Sequence, residues 1–385
     1  MKLLRLVVPI LAGLLLAGGT LVAFARGPAG PLPPPNASET DLLPGGFANA
    51  IHIDASGQLW ISEVSSATVR RYNPATHAFT LFHGLTETVD AQIGPDGQLW
   101  WLDPPARKLA RMDLGTRLVT TWPLSTSFSV ALTFDSLGRA WIADFLSIGL
   151  YRLNPTTNEY CDVDLPDFGA SETIVAQGGV LWVGDVYNSR IGRITPASNN
   201  FTYWSLAFAG GSPAPRGFTF GLNGEVWWAD AGLRQLGRLE PAANRLTLFP
   251  VPGSAAPFQV AAQGSNVWFT APFSHTLGFV DSATAAGGSP HVEAPTATTL
   301  APDCVTIANG PSFTAGTSSG VAVFNPLVLT PTLTAQGSSY AAPVGGQPLG
   351  LAASGVDVWA TDYGRDKLML VDTTVAKLFL PLVRE

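Results

Sequence analysis

Short apolar runs centred on tryptophan alternate with polar turns along nearly the whole chain. Leu59-Trp60-Ile61 is the first such run, and Val226-Trp227-Trp228 belongs to the same series. The series is marked by Trp60, Trp100, Trp141, Trp182, Trp227, Trp268, Phe313 and Trp359, in steps of 40, 41, 41, 45, 41, 45 and 46 residues. A period of this length indicates one supersecondary unit repeated many times, whose copies bury their apolar faces against one another.

Each repeat predicts four short strands. In the first repeat, residues 50–53 lead through the turn 54–57 to the tryptophan strand, and polar turns then separate two further strands, 68–72 and 78–82. Glycine supplies the positive φ of such hairpins, and aspartate or asparagine supplies the local hydrogen bonds. Beyond the N-terminus no window has the spacing of a long amphipathic helix. We therefore predict an all-β fold, a β-propeller of four-stranded blades with tryptophan between the blades.

The number of repeats favours eight blades, beginning near residues 48, 90, 130, 172, 216, 257, 302 and 348. A seven-bladed ring is the second choice, because the seventh repeat has Phe313 in the tryptophan position and a threonine-rich stretch at 328–335. The outer strand that closes the ring could come from 38–43 or from 377–383. We assign a single propeller domain to residues 47–385.

The N-terminal segment predicts export. Residues 1–25 contain Lys2 and Arg5, an apolar run broken by glycines, and Ala23-Phe24-Ala25 as a small-x-small cleavage site, which together indicate a signal peptide. An uncleaved membrane anchor is the alternative, since the apolar run is nearly long enough to span a bilayer. Residues 26–46 form a proline-rich spacer. We expect a secreted or extracytoplasmic monomer with no membrane span after cleavage.

The net charge bears on the class of partner, and the positions of the two cysteines bear on whether they form a disulfide. Removing Lys2 and Arg5 with the signal leaves 19 basic and 28 acidic side chains, a net charge of −9. Such a chain repels phosphate backbones, so we expect no nucleic-acid partner. Its two cysteines, Cys161 and Cys304, fall at opposite ends of different repeats, one on the outer rim and the other near the centre of an eight-bladed ring. We therefore expect them not to pair.

Several motifs together resemble a known family. Trp-Ile-Ser-Glu at 60–63 and Trp-Phe-Thr-Ala at 268–271 are followed in later repeats by Ile-Gly-Arg-Ile at 191–194 and Leu-Gly-Arg-Leu at 236–239. Over about 48–383 these motifs resemble the virginiamycin B lyase (streptogramin lyase) family of β-propellers, and more weakly the NHL-type and gluconolactonase-like propellers. The resemblance implies a lyase that linearises a cyclic depsipeptide antibiotic, with a His base and with Mg²⁺ held by Glu residues at the mouth of the pore.

Hairpin geometry predicts which residues share that mouth. A turn centred on Ser56 pairs residues equidistant from it, so the residue that begins each first strand faces the residue that ends the tryptophan strand. The beginning residues are Asn49, Val89, Val130, Ser171, Arg216, Pro257, Ala301 and Pro348, and their partners are Glu63, Asp103, Asp144, Asp185, Asp230, Ala271, Ala315 and Asp362. No beginning residue is the His that the family motif requires, and His52 is expected to pair with Trp60 and pack between blades.

The candidate pore-rim site therefore consists of the six acidic residues that end the second strands, together with one basic residue, Arg216. Its members are Glu63, Asp103, Asp144, Asp185, Arg216, Asp230 and Asp362. The six carboxylates could bind Mg²⁺ or Ca²⁺, or could instead cap the turns that follow them. Arg216, opposite Asp230, would form a cross-strand ion pair or orient an anion.

The resulting hypothesis is an exported propeller that uses its pore face as a binding scaffold. The expected partner is a peptide, a glycan or a small cyclic ester. The alternative is a divalent-metal-dependent lyase or lactonase that acts on a cyclic ester or depsipeptide, and a purely structural surface protein is the third possibility.

Overall fold

A computed structural model describes residues 37–41 and 48–372, with gaps at 65, 84–86, 127, 284, 286, 289, 307–311, 316, 322–330, 335–336, 342–345, 356 and 366. The predicted signal peptide, 1–25, lies outside the described residues, as does most of the predicted spacer, 26–46. Three 3-10 turns, Ala207–Ala209, Pro252–Ser254 and Pro272–Ser274, are the helical elements of the described chain. None of its helices has the length and apolar character that crossing a membrane requires.

Seven antiparallel sheets form the blades of one ring. Blade 1 is β2(Ala48–Ile53), β3(Leu59–Glu63), β4(Thr68–Asn73) and β5(Ala78–His83), and blade 2 is β6(Val89–Ile93), β7(Leu99–Asp103), β8(Lys108–Met112) and β9(Leu118–Pro123). Blade 3 is β10(Ser129–Phe134), β11(Ala140–Asp144), β12(Leu150–Asn154) and β13(Glu159–Val163). Blade 4 is β14(Ser171–Gln177), β15(Val180–Asp185), β16(Arg190–Thr195) and β17(Asn200–Ser205). Blade 5 is β18(Pro215–Phe220), β19(Val226–Asp230), β20(Gln235–Glu240) and β21(Arg245–Pro250).

The last two blades take strands from distant parts of the chain. Blade 6 contains β22(Gln259–Gln263), β23(Asn266–Ala271) and β24(Thr276–Asp281), completed by β31(Gly337–Ala341) and β30(Pro331–Thr334). Blade 7 contains β32(Pro348–Ser354), β33(Asp357–Asp362) and β34(Lys367–Asp372), and its outer strand is β1(Ala37–Asp41). The N-terminal strand thus closes the ring, as one of the two sequence alternatives predicted. The first strand of each blade contacts the first strands of both neighbours around the central axis.

Tryptophan fills the spaces between blades, as predicted. The seven marker indoles are between 0 and 4 % exposed. One core cluster shows the arrangement, because Trp141 and Leu150 of blade 3 pack with Ile174 and Phe201 of blade 4. The second strand of every blade is almost wholly buried, since it lies in the middle of its sheet with a neighbouring blade on each face.

The favoured count of eight blades is wrong, because the degenerate repeat is not a blade. Its later strands, β30 and β31, complete blade 6, and its earlier residues join a segment that runs around the outside of the ring. This segment, the belt, comprises β25(His291–Val292), β26(Thr296–Thr299), β27(Asp303–Thr306), β28(Ser312–Ala315) and β29(Thr317–Val321). Each belt strand pairs antiparallel with the outer strand of one blade, in the order blade 5, 4, 3, 2, 1. Ala301 and Ala315, predicted to face each other at the pore, therefore lie in the belt.

The expectation that the two cysteines stay apart is also wrong. Cys161 of β13 faces Cys304 of β27, and the two form a disulfide. The expectation failed because it placed residue 304 in an inner strand, whereas the belt carries it to the outer edge of blade 3. The disulfide therefore fastens the belt to the ring.

Candidate functional site

The first strands of the blades surround a cavity of 430 Å³ on the ring axis. Aromatic residues form a collar at one end of it, beside the loops that lead into the first strands and out of the second strands. The collar consists of Phe128, Phe145, Phe258, Phe273 and Tyr363. Polar side chains line the cavity among apolar ones, and these are Asn49, His52, Asp90, Gln92, Thr133, Glu172, Thr173, Arg216, Gln259 and Gln347. An apolar pocket with a few convergent polar groups is the usual form of a ligand site.

β-Bulges decide which residues reach this cavity. The register shifts by one residue between Ala48 and Ala50 in blade 1, and comparable shifts occur in blades 2, 3, 4, 5 and 7. A bulge leaves one residue outside the ladder and re-aims its side chain. The bulged Asn49, Val130 and Glu172 all line the cavity.

The bulges correct several predicted cross-strand pairs. Glu63 faces Ala48 and not Asn49, Asp144 faces Ser129 and not Val130, and Asp230 faces Pro215 and not Arg216. Val89 faces Leu102 and not Asp103. The predicted pairs of Ser171 with Asp185 and of Pro348 with Asp362 are present. The error arises because turn geometry fixes the register only up to the first bulge.

The six predicted rim carboxylates are buried at the ends of the second strands. Each is between 0 and 2 % exposed, and none is among the residues that line the cavity. Asp185 shows the pattern: its Oδ1 accepts the N–H groups of Tyr187 and Asn188 at 3.0 Å, and its Oδ2 accepts that of Gly169 at 2.8 Å. The carboxylate thus ties the turn that follows it to the loop before its own first strand.

Asp103 accepts the N–H group of Ala106, in the turn that follows it. Three other members of the set repeat the whole role of Asp185. Asp144 accepts the N–H groups of Leu146 and Phe128. Asp230 and Asp362 likewise accept N–H groups from both loops. Glu63 differs, because it accepts hydrogen bonds from Arg70 and Ser66. Burial raises the pKa of Asp185 and of Asp230, against the lowering effect of the N–H donors.

This arrangement bears on the metal that the family resemblance implies. Each of the six carboxylates already accepts at least one hydrogen bond from a backbone or side-chain donor, and none of them lines the cavity. As they stand they do not fit one shared divalent cation, which needs several free oxygen ligands around a single point. The turn-capping alternative is the one that the geometry favours.

Arg216 is the member of the predicted set that does line the cavity. It is 3 % exposed, and its guanidinium Nη1 forms an ion pair with Oε2 of Glu172 from the neighbouring blade. The guanidinium carbon lies 5.1 Å from the ring centroid of Phe258, in the geometry of a cation–π contact. Burial raises the pKa of Glu172, and the positive charge of Arg216 opposes that rise. The partner of Arg216 is thus Glu172, not Asp230.

A second polar pair spans three blades in the same cavity. Nε2 of His52 lies 2.5 Å from Oδ1 of Asp90, and Oδ2 of Asp90 accepts the N–H group of Leu132 at 2.5 Å. The side chain of His52 is 35 % exposed, so the expectation that it packs between blades is wrong, although its predicted pairing with Trp60 is present. Asp90 has a φ of 51°, which is rare and strained for a residue with a side chain.

These two pairs offer distinct chemistry. When Nε2 of His52 donates to Asp90, its Nδ1 keeps a lone pair and can accept a proton or a ligand donor. The Glu172–Arg216 pair offers both an acceptor and a donor. Sequence reasoning missed Glu172 and Asp90, because a bulged residue has no signature in a repeat pattern. The one available signal was their charge inside otherwise apolar first strands.

Comparisons with known proteins place this geometry in context. The family described as the virginiamycin B lyase family matches residues 41–318. No curated protein matches the chain. Among solved structures, a catalytically inactive virginiamycin B lyase from Staphylococcus aureus with quinupristin is 17% identical, with a TM-score of 0.65, covering 87% of this chain and 98% of that one.

Two further solved structures share the fold. A streptogramin B lyase is 16% identical, with a TM-score of 0.62, and covers 87% of this chain and 96% of its own. YCF48 bound to a peptide is 10% identical, with a TM-score of 0.58, and the match covers 89% of this chain and 99% of that one. At these identities the likeness concerns the propeller fold alone.

Proposed function

Because the chain belongs to the virginiamycin B lyase family, we propose that it is an exported propeller that binds a ligand in its axial cavity. The observation that carries this proposal is the cavity itself, with its aromatic collar and two convergent polar pairs. A peptide, a glycan or a small cyclic ester would offer both the apolar surface and the hydrogen-bonding groups that such a lining complements.

Export is part of the same proposal. It is supported by the predicted signal peptide at 1–25 and by the disulfide, since disulfides persist in oxidising compartments. We expect the N-terminus of the mature protein to be Arg26, and N-terminal sequencing of the exported protein would show whether cleavage occurs there.

A cavity-filling variant tests the binding site. Quinupristin, a short peptide and chitotriose serve as probes for the three ligand classes in calorimetric titrations. We expect at least one to bind the wild type with a single site, and Val130→Trp to abolish that binding, because Val130 lines the cavity at a bulge. Leu222→Trp is the matched control, since Leu222 is 78% exposed in the turn at the other end of its blade. If no probe binds the wild type, or if Val130→Trp binds like the control, the cavity is not a ligand site.

The second candidate function is catalysis by the His52–Asp90 pair. A carboxylate that orients an imidazole is the arrangement of a general base, which a lyase or a lactonase acting on a cyclic ester requires. The metal-dependent form of this candidate needs Mg²⁺ or Ca²⁺ at the carboxylates of the mouth. The hydrogen bonds that those carboxylates already accept argue against the metal-dependent form.

We expect the protein not to linearise quinupristin in the presence of Mg²⁺. In the described part of the chain, no His begins a first strand at the mouth, where the family motif places its base. Mass spectrometry of the incubated antibiotic, with and without the protein, measures this directly. A ring-opened product that forms faster than in buffer and is lost in His52→Asn would establish the catalytic candidate instead. A melting temperature raised by millimolar Ca²⁺ or Mg²⁺ would return the carboxylates to a metal-binding role.

A further inference from the structure

The ion pair between Glu172 and Arg216 joins two blades inside the cavity. Glu172 is the bulged residue of β14, and Arg216 lies next to the bulge of β18. Both side chains are almost completely buried: 4 % of the Arg216 side chain and 11 % of the Glu172 side chain are exposed. Such a pair is costly to bury, so its geometry in a binding cavity calls for an explanation beyond stability.

The pair leaves hydrogen-bonding atoms on both side chains unused. Nε and Nη1 of Arg216 are buried and have no hydrogen-bond partner among the described residues. Nη1 is the atom in ion-pair contact with Glu172, so Nε is the donor without any partner. On Glu172 the ion pair uses Oε2, and no described hydrogen bond reaches Oε1. A buried donor without a partner is destabilising, and a ligand acceptor would relieve it. The Phe258 ring lies against the guanidinium group, whose carbon is 5.1 Å from the ring centroid.

The electrostatics of the pair disfavour an anion. The carboxylate of Glu172 neutralises Arg216, and the charge of Arg216 also reaches the buried Asp230. The other charged side chains that line the cavity are Asp90 and its partner His52. A ligand carboxylate would thus lose its hydration without meeting a net positive charge, whereas a neutral group would lose far less.

We propose that Glu172 and Arg216 select a ligand by an uncharged amide, whose carbonyl accepts from Arg216 Nε and whose N–H donates to Glu172. This inference rests on the proposed binding function and names the group that the cavity recognises. An amide presents a donor and an acceptor together, which matches the two unused atoms of the pair. The aromatic collar then accommodates the apolar part of the same ligand.

Three small probes with one aromatic group and different polar ends test this selection. Hydrocinnamamide carries the amide, hydrocinnamate carries a carboxylate at neutral pH, and hydrocinnamyl alcohol has no carbonyl. Dissociation constants are measured by titration followed by NMR. We expect the wild type to bind the amide about tenfold more tightly than the carboxylate and than the alcohol.

Two substitutions should shift this preference in opposite ways. Glu172→Gln leaves the charge of Arg216 unneutralised, so the affinity for the carboxylate should rise by more than about tenfold, enough to overtake the amide. Arg216→Met removes the carbonyl donor, so the amide should lose its advantage over the alcohol. Glu225→Gln is the matched control, because Glu225 bonds to Asn223 in the turn at the opposite end of blade 5. It should keep the wild-type order.

The outcomes separate this inference from the function on which it rests. Equal binding of amide and carboxylate by the wild type, or an unchanged order in Glu172→Gln, overturns the inference. If the alcohol or quinupristin binds and is lost in Val130→Trp, while the amide has no advantage, the cavity is a ligand site but the pair does not select amides. If none of the probes binds, both proposals are wrong.

Discussion

At the scale of single residues, glycine in the third strand of a blade makes room for an aromatic ring. A Cβ on Gly237 would lie 1.9 Å from Cζ2 of Trp228, and one on Gly192 would lie 2.6 Å from Cε2 of Phe201. Both glycines belong to the Gly-Arg motifs that pointed to the family from the sequence. Their physical role is thus to let the ring of an adjacent strand lie flat against the backbone.

We predict that Gly237→Ala destabilises the protein by about 1–3 kcal/mol, because Trp228 is fully buried and must move from its place. Urea denaturation measures the change. Gly288→Ala is the control, since its Cβ would make only an ordinary contact, 3.5 Å from the carbonyl oxygen of Leu248. Equal midpoints for the two variants would mean that Trp228 has space that the structure does not show.

At the scale of the element, the hairpin between the first two strands of blades 1, 2 and 3 is built around one carboxylate, which accepts the indole N–H of the marker tryptophan. Asp135 accepts the indole N–H of Trp141 at 2.8 Å and the backbone N–H groups of Leu137 and Arg139 at 2.9 and 3.1 Å. Asp54 does the same for Trp60. In these three blades the turn and the tryptophan that recur together in the sequence are therefore one hydrogen-bonded unit.

Asp135→Ala should lower the free energy of unfolding by about 1–3 kcal/mol, because it leaves a buried indole N–H without a partner. Asp113→Ala gives the comparison, since Asp113 also caps a turn through backbone N–H groups but holds no tryptophan. We expect a smaller loss there. Thermal denaturation of both variants checks the order, and a reversed order would show that the indole contributes little.

The same hairpins show what a sequence pattern can predict about an element. Strand order, the turns and the burial of tryptophan follow from alternation and turn residues, and the pairs of Ile51 with Ile61 and of Ile53 with Leu59 are as predicted. The mouth of the cavity is different, because a bulge of one residue exchanges the side chains that face it. Arg216 could be predicted to reach the site, whereas Glu172 and His52 could not.

At the scale of the whole molecule, the number of sequence repeats predicts eight blades, one more than the seven present, because the degenerate repeat does not form a blade. A worn blade and a belt strand have similar composition, since both are short, β-forming and bounded by turns. What separates them is pairing with distant strands, which no local pattern contains. Phe313, which the repeat pattern predicts to mark a blade, lies in β28 on the outside of blade 2.

We predict that replacing both cysteines, Cys161→Ala with Cys304→Ala, destabilises the protein by about 2–4 kcal/mol, because the disulfide closes a long loop. Hydrogen exchange should quicken in the belt strands first, while the inner strands of the blades keep their protection. Adding a reductant should affect the wild type and leave the double variant unchanged. Uniform loss of protection across blades and belt would mean that the belt and the ring unfold as one unit.

The reversed order of the belt has a consequence for how the chain is made. The ribosome translates blades 1 to 5 in order, and the belt follows them. The first belt strand, β25, pairs with blade 5, which is the most recent of these five blades, and the last belt strand, β29, pairs with blade 1, which is the earliest. Every belt strand therefore finds its partner already outside the ribosome, so the nascent chain wraps backwards over its own earlier product. Among the described strands, β1 waits longest for its partner, because β34 is the last of them to be translated.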